Sequence, residues 1–208
     1  MRTNTPDQNF LTEDDTMKTR LFATAAAVLL ATGIAAAQTS TWTIDPAHSQ
    51  SNFEIRHMGV SNVRGSISKI SGSVIWDEKN PSKSTVVADI DVTTLNTTVD
   101  ARDTHLKSPD FFNVAQFPTI HFQSTKVTGT AGHLKVEGNL TLAGVTKPVV
   151  LDVDGPATPQ KNQKGNLISG FEATTVLKRA DFNFGPKFAP PMLGDEVKIT
   201  IDVEMDKQ

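Results

Sequence analysis

The chain has 208 residues, with 20 basic and 23 acidic side chains and a net charge of −3 at pH 7. It contains no cysteine, which excludes disulfides and thiol chemistry. This charge balance lacks the basic footprint of a nucleic-acid-binding protein, so no nucleic-acid partner is expected.

The first distinctive segment has the order of residues found in an export signal. Lys18 and Arg20 precede an apolar run over residues 21–36, which closes with Ala35-Ala36-Ala37. Basic, apolar and small residues in this order predict a secretory signal peptide over 17–37. A membrane-spanning helix is the alternative, but the run is barely long enough and is rich in Ala and Thr.

Residues 1–16 are acidic, unlike the start of an export signal. They are interpreted as an N-terminal extension that reflects a start codon assigned too early. Residues 38–208 are long enough for one domain with a real core but short for two, so one domain is expected.

Strand signals recur along this domain, and the clearest segments alternate apolar and polar residues. Such alternation places each apolar set on one face of a sheet. Gly, Pro and Asn turns separate the segments. The eight predicted strands are Phe53–His57, Ile67–Trp76, Val86–Val92, Ile120–Val127, Leu134–Leu142, Val149–Val153, Phe171–Leu177 and Val197–Met205.

Eight antiparallel strands bury one apolar face either as a sandwich or as a barrel whose interior holds one ligand. The alternation alone scarcely separates these two. A small outer-membrane barrel shares the pattern, but such barrels carry girdles of Trp and Tyr, and this chain has two Trp and no Tyr. A water-soluble architecture is therefore favoured.

One short helix interrupts the strand pattern, over Ala101–Lys107. Asp100 is predicted to cap it, with Asp103 at its third position, and Pro109 to stop it.

Two loops are also distinctive. The polar segment Gly155–Asn166 predicts a mobile surface hairpin loop.

The loop Phe184–Gly194 is too apolar for an ordinary solvated loop, since it contains Phe184, Phe188, Met192 and Leu193. We expect it to pack over a barrel mouth as a lid. The equally weighted alternative is a crossing that plugs one end of the barrel.

The stretch Ala101–Phe122 places charged groups beside apolar rings. Arg102, His105 and Lys107 can meet a polar or anionic head group, while the neighbouring phenylalanines shelter a lipophilic tail. Such a composition is typical of a pocket mouth.

This stretch and several shorter motifs closely resemble the signature of the YceI-like family of polyisoprenoid-binding proteins. The resemblance extends from about Trp42 to the end of the chain, and the order and spacing of the motifs carry it. The motifs are Ile44-Asp45-Pro46-Ala47-His48-Ser49, Phe53-Glu54-Ile55-Arg56-His57, Arg64-Gly65, Gly138-Asn139-Leu140-Thr141-Leu142-Ala143-Gly144-Val145-Thr146-Lys147-Pro148 and Leu177-Lys178-Arg179-Ala180-Asp181-Phe182.

The resemblance implies an all-β fold, a single eight-stranded antiparallel lipocalin-like barrel with one short helix, exported to the periplasm. It also implies an amphiphilic isoprenoid ligand, such as a polyprenyl quinone or polyprenyl phosphate, with no other cofactor and no catalysis. Where many relatives place an aromatic residue two positions after the Arg-Gly pair, this chain has Ile67. Two questions stay open, namely whether the chain forms a homodimer that shares the pocket, and which membrane partner donates or accepts the lipid.

Twelve residues are candidates for ligand contact. Apolar candidates would surround the tail, Arg102 and His105 share one face of the short helix, and His57 continues the inward period of its strand. For each apolar residue, core packing is the commoner role, and a surface ion pair of Arg102 with Asp103 or Asp110 is the structural alternative. The candidates are Phe53, Ile55, His57, Ile90, Val92, Arg102, His105, Leu106, Phe111, Phe112, Phe117 and Phe122.

The motifs of catalysis and metal binding are missing from the sequence. The five histidines show no H-E-x-x-H pattern or closely paired spacing, so no metal site is predicted. No nucleophile elbow, phosphate loop or dinucleotide fingerprint occurs. Two alternatives to a carrier remain, namely an enzyme that acts on such a lipid through His57 or His105, and a solid-cored structural or stress-related module.

Overall fold

A computed structural model describes Met1 and residues 39–208 of the chain. Within these residues it contains one α-helix and eleven strands, and every strand pairing is antiparallel. The helix α1 is Asp100–Lys107. The strands are β1 Thr39–Ile44, β2 Gln50–His57, β3 Ser61–Ser68, β4 Ile70–Asp77, β5 Thr85–Asp91, β6 Thr119–Thr130, β7 His133–Leu142, β8 Val145–Asp154, β9 Gln160–Lys161, β10 Leu167–Lys178 and β11 Leu193–Lys207.

The eleven segments form an eight-stranded ring. β1 and β2 lie end to end along the same edge of β11, where Ile44 pairs with Met205 and Phe53 pairs with Ile199. β3 and β4 are likewise two halves of one barrel strand, interrupted at Lys69, whose φ is +57°. β9 adds only two residues beside β10.

β11 closes the barrel because its other edge pairs with β10, from Ile168 opposite Asp206 to Lys178 opposite Glu196. Between β4 and β10 the order is β5, β6, β7 and β8, so most neighbours in the ring are also neighbours in sequence. The predicted eight-stranded antiparallel barrel with one short helix is confirmed.

The strands differ from the prediction in several places: β1 and β9 were not predicted, β3 begins six residues before the predicted Ile67, and the predicted strand Ile67–Trp76 is broken. β1 was not predicted, because Trp42 and Ile44 are its only apolar residues and the rest of the strand is Thr and Ser; both apolar residues are buried. The predicted strand Ile67–Trp76 breaks where Lys69 takes a left-handed conformation. This break bends the strand and lets its two halves follow the curved wall.

The helix begins one residue earlier than predicted. Val99 occupies the capping position and Asp100 is the first helical residue, so the cap predicted for Asp100 is wrong. The Asp103 carboxylate instead accepts from the backbone N–H of Thr97 at 2.9 Å, and also from the Thr97 hydroxyl. The helix ends before the extended Ser108, as expected for a residue that precedes proline.

The polar loop after β8 contains the short strand β9, and Asn162 closes a turn to Asn166 beyond it. The predicted signal peptide over 17–37 and the extension over 1–16, Met1 aside, lie outside the described residues. No helix among the described residues is long and apolar enough to cross a membrane.

Candidate functional site

The barrel encloses a cavity of about 450 Å³. Every second residue of each barrel strand points inward, and most of these inward residues are apolar. The walls of the cavity are therefore almost entirely apolar. In β10 the inward residues are Phe171, Ala173, Thr175 and Leu177. The volume lies within the range of protein sites that bury a small organic ligand.

The cavity opens at one end of the barrel. Four of the residues that line it are solvent-exposed, namely His57, His105, Lys178 and Met192. His57 ends β2 and pairs with Leu193, while Lys178 ends β10 on the other side of β11. We call this end, with α1 and loop 184–194 beside it, the mouth.

Ten of the twelve candidate residues line this cavity. Residues Phe53, Ile55 and His57 share the inward period of β2, as the alternation predicted. Contact of any of the ten with a ligand stays a prediction. The ten are Phe53, Ile55, His57, Ile90, Arg102, His105, Leu106, Phe111, Phe112 and Phe122.

Val92 and Phe117 do not line the cavity. Val92 was placed at the end of a strand, but β5 stops at Asp91 and Val92 begins a short 3₁₀ turn, where it is 1% exposed in the core. Phe117 is 36% exposed, and its ring lies so close to Gly144 that a Cβ there would meet it at 2.7 Å. Period two fails for Val92 because this residue lies beyond the end of β5, whereas Phe117 was a candidate only as one of the apolar rings of the stretch Ala101–Phe122.

Arg102 lines the mouth and bonds to a neutral partner. Its Nε donates to the Thr97 hydroxyl at 2.8 Å and its Nη2 donates to the Thr97 carbonyl at 2.7 Å. Among the described residues no carboxylate lies within 4.0 Å of the guanidinium, so the expected pairing with Asp103 or Asp110 is absent. The Thr97 hydroxyl thus lies between the Arg102 guanidinium and the Asp103 carboxylate, which do not contact each other.

His105 belongs to a polar triad that joins α1 to loop 184–194. Its Nε2 lies 3.3 Å from Asp110 Oδ2, while Lys187 Nζ donates to the other oxygen of Asp110 at 2.7 Å. The hydrogen bond from Lys187 and then that with His105 hold the pKa of the Asp110 carboxyl below its usual value. This pairing ties the two segments of the mouth together.

Aromatic rings reinforce the same junction. Phe111 stacks on Phe188 with ring centroids 5.0 Å apart, and the His105 ring meets the edges of both. Phe112 contacts Phe184 at 4.7 Å between centroids. The apolar loop therefore packs against α1 and the residues after it at the mouth, and its role as a lid or as a plug stays a prediction.

Arg179 fixes the loop from within. It is 6% exposed, and its five N–H groups donate to five backbone carbonyls at 2.7–3.1 Å. Burial lowers the pKa of its guanidinium, and Asp195 opposes that shift. The acceptors are the carbonyls of Phe184, Gly185, Phe188, Leu193 and Gly194.

Sequence reasoning did not include Lys178 and Arg179 among the site residues. Both residues belong to the motif that begins at Leu177. Alternation along the strand directs Leu177 inward and therefore predicts that Lys178 points outward. The strand ends at Lys178 and a 3₁₀ turn begins at Arg179, so the alternation no longer holds and both side chains line the cavity. Phe188 and Met192 were noticed as apolar loop residues only.

A second polar cluster lies on the 45–49 connection between β1 and β2. His48 Nδ1 is 2.7 Å from Asp45 Oδ2 and 3.6 Å from Glu204 Oε1. The hydrogen bond to Asp45 and the negative charges of Asp45, Glu204 and Asp206 raise the pKa of His48. The same hydrogen bond, with that from the backbone N–H of Ala47, lowers the pKa of Asp45. His48 and Asp45 thus form an ion pair, and Glu204 is the second acid beside His48.

Comparisons with known proteins agree with this architecture. The family model described as YceI-like domain matches residues 42–205. The chain is 38% identical over 181 residues to Protein YceI of Salmonella arizonae, covering 87% of this chain and 93% of that protein.

Solved structures share the fold. A Campylobacter jejuni YceI protein superposes with a TM-score of 0.66 at 30% identity, over 74% of this chain and 90% of that one. A structure from Saccharophagus degradans, described as a polyisoprenoid binding domain, superposes with a TM-score of 0.59 at 16% identity. That match covers 80% of this chain and 98% of the other, and it shows the shared fold alone.

Proposed function

Because this chain belongs to the YceI-like family, we propose that it binds and carries an amphiphilic isoprenoid lipid of the polyprenyl quinone or polyprenyl phosphate type. The observation that carries this proposal is the apolar cavity of about 450 Å³, open at the mouth. The Saccharophagus degradans domain, described as polyisoprenoid-binding, supports the choice of ligand class.

The tail would be held by burial of its apolar surface. Each buried carbon contributes up to about 0.8 kcal/mol, so one five-carbon prenyl unit contributes roughly 3 to 4 kcal/mol before the entropy lost on binding. No directional contact is needed along the tail. Selectivity should then follow the length and shape of the cavity.

The head group would lie at the mouth among cationic and polar side chains. Arg102 and Lys178 line the cavity there, and no carboxylate of the described residues lies within 4.0 Å of either charge. His57 and His105 add nitrogen donors or acceptors. A phosphate or a quinone oxygen fits such a surface.

We place this activity in the periplasm, on the strength of the signal peptide predicted over 17–37. The carrier role involves no bond-breaking chemistry and no cofactor besides the lipid. If the chain were instead an enzyme acting on the lipid, His57→Ala or His105→Ala would abolish turnover while the protein retained its ligand.

The test is extraction of the purified protein with organic solvent and mass spectrometry of the extract. We expect an isoprenoid lipid in the extract of the wild-type protein. Thr175→Trp, which fills the cavity from β10, should lower the lipid recovered. The matched control is Thr174→Trp, which adds the same ring to the opposite face of the same strand. A folded wild-type protein without bound lipid that also takes up none when refolded with polyprenyl phosphate would contradict the proposal.

A further inference from the structure

We propose that the hairpin end between β2 and β3 docks the barrel onto an anionic phospholipid bilayer, so that the mouth faces the membrane. We call Met58 and Val60, with Met192 of loop 184–194, the docking tip. The inference rests on the proposed function, since a carrier of membrane lipids must collect and deliver its ligand at a bilayer.

The docking tip concentrates exposed apolar side chains. Met58, Val60 and Met192 are 51%, 78% and 49% exposed. The backbone N–H of Met58 donates to the Met192 carbonyl at 3.0 Å, and that of Val60 donates to the His57 carbonyl at 3.1 Å. The hairpin and the loop therefore present one surface.

Met58 adopts a conformation that its side chain disfavours. Its φ is +51° and that of Gly59 is +72°, values that suit Gly or Asn at a turn. An exposed methionine gains little packing that would offset this strain. Backbone strain without a packing benefit is a feature of residues placed for function.

The docking tip adjoins the entrance of the cavity. His57, which precedes Met58, lines the cavity, and so does Met192. A bilayer that took up these apolar side chains would lie against the mouth. A lipid tail would then pass into the barrel with little exposure to water.

The charge beside the tip selects an anionic surface. Arg56 Nη2 donates to the Gly59 carbonyl at 3.0 Å, which holds the guanidinium over the turn. No carboxylate of the described residues lies within 4.0 Å of it, whereas Arg64 and Lys198 both pair with Glu54. Arg56 Nη1 also donates to Asn62 Oδ1 at 3.2 Å, and the remaining N–H groups of this cation are available to a lipid phosphate.

A bilayer fits this surface better than a second copy of the chain. A stable protein interface uses about 20–30 residues on each side, and the docking tip offers three apolar side chains. Insertion of a small apolar group beside a cation is instead typical of peripheral membrane binding.

The experiment measures two readouts on each protein. Sedimentation with vesicles of equal parts phosphatidylethanolamine and phosphatidylglycerol reports docking, and titration with N-phenyl-1-naphthylamine without vesicles reports the cavity. Met58→Asn with Val60→Ser should weaken vesicle binding roughly ten-fold or more. The matched control, Val150→Asn with Val176→Ser, removes exposed apolar side chains from other strands and should leave vesicle binding unchanged.

Arg56→Gln should weaken binding about five-fold on these vesicles and have no effect on vesicles of phosphatidylcholine alone. Probe titrations should be equal for all these variants. Wild-type protein that takes up the probe but ignores the vesicles would overturn the docking inference and leave the proposed function standing. Failure to take up the probe would overturn the proposed function. A wild-type dimer that the tip variant converts to a monomer, with equal vesicle binding, would assign the tip to contact between copies and overturn docking.

Discussion

Arg179 holds the backbone of Phe188, because its Nη2 donates to the Phe188 carbonyl at 2.9 Å, and the Phe188 ring stacks on Phe111. One buried side chain thus sets the position of the aromatic cover. The geometry of the mouth depends on this contact.

Arg179→Met should destabilise the protein by about 3 to 5 kcal/mol, because it leaves five carbonyls without their donor. Arg179→Lys should recover only part of this loss, since an ammonium has three donors instead of five. Urea unfolding measures both. Arg64→Met, which removes an exposed ion pair, is the control and should change stability by about 0 to 1 kcal/mol. Equal effects at both arginines would contradict the role assigned to Arg179.

Phe188→Ala should open the mouth. The lost ring contacts are worth about 0.5 to 1.5 kcal/mol each, so we expect N-phenyl-1-naphthylamine to dissociate several-fold faster, measured by stopped-flow fluorescence. Phe117→Ala is the matched control, because Phe117 does not line the cavity. Similar dissociation rates for the two variants would show that the loop does not limit exit.

Gly138→Ala should disturb the cavity wall. A Cβ at Gly138 would lie 2.3 Å from Phe122 Cζ and 2.7 Å from the Gln123 carbonyl oxygen. We expect a loss of about 1 to 3 kcal/mol in thermal or urea unfolding. Gly65→Ala should be milder, since the three atoms nearest its Cβ would all be side-chain atoms of Phe53 and Thr97. The reverse order of the two losses would argue against this packing.

The pair of His48 and Asp45 should be visible in a proton titration. Because the pKa of His48 is raised in the folded protein, the pair contributes its full stabilisation below pH 6.5, the ordinary pKa of a histidine. This contribution is lost as the pH rises through the pKa of His48 in the folded protein. NMR titration should place the His48 pKa above 6.5, and Asp45→Asn should lower it. Asp89→Asn, beside His121 instead, should leave the His48 titration unchanged. A His48 pKa that ignores Asp45→Asn would refute the pairing.

The strands were predictable from sequence because alternation and turn residues act locally, whereas the choice of a barrel over a sandwich came from the resemblance to the YceI-like family. Val197–Met205 alternates so clearly that it lies within β11 as expected. Of the pieces that were not predicted, β1 has only Trp42 and Ile44 to mark it, and its stability comes from β4 and β11, which are distant in sequence.

Among the strand residues, cavity lining was predictable where a strand is regular and not where one ends. Ile55 and His57 follow the period of β2 into the cavity, whereas Val92 leaves β5 in a turn. Arg179 was missed for a different reason. Its five acceptors are backbone carbonyls of a loop, and no pattern of side chains in the sequence marks them.

The closing strand also sets when the molecule can fold. Trp42 pairs with Lys207, so the first and last strands of the ring meet only after β11 has been synthesised. Until then the nascent chain has an open sheet with unpaired edges, and contacts of such long sequence separation form slowly. The newly made polypeptide would therefore close its barrel only after β11 is available to pair with β1.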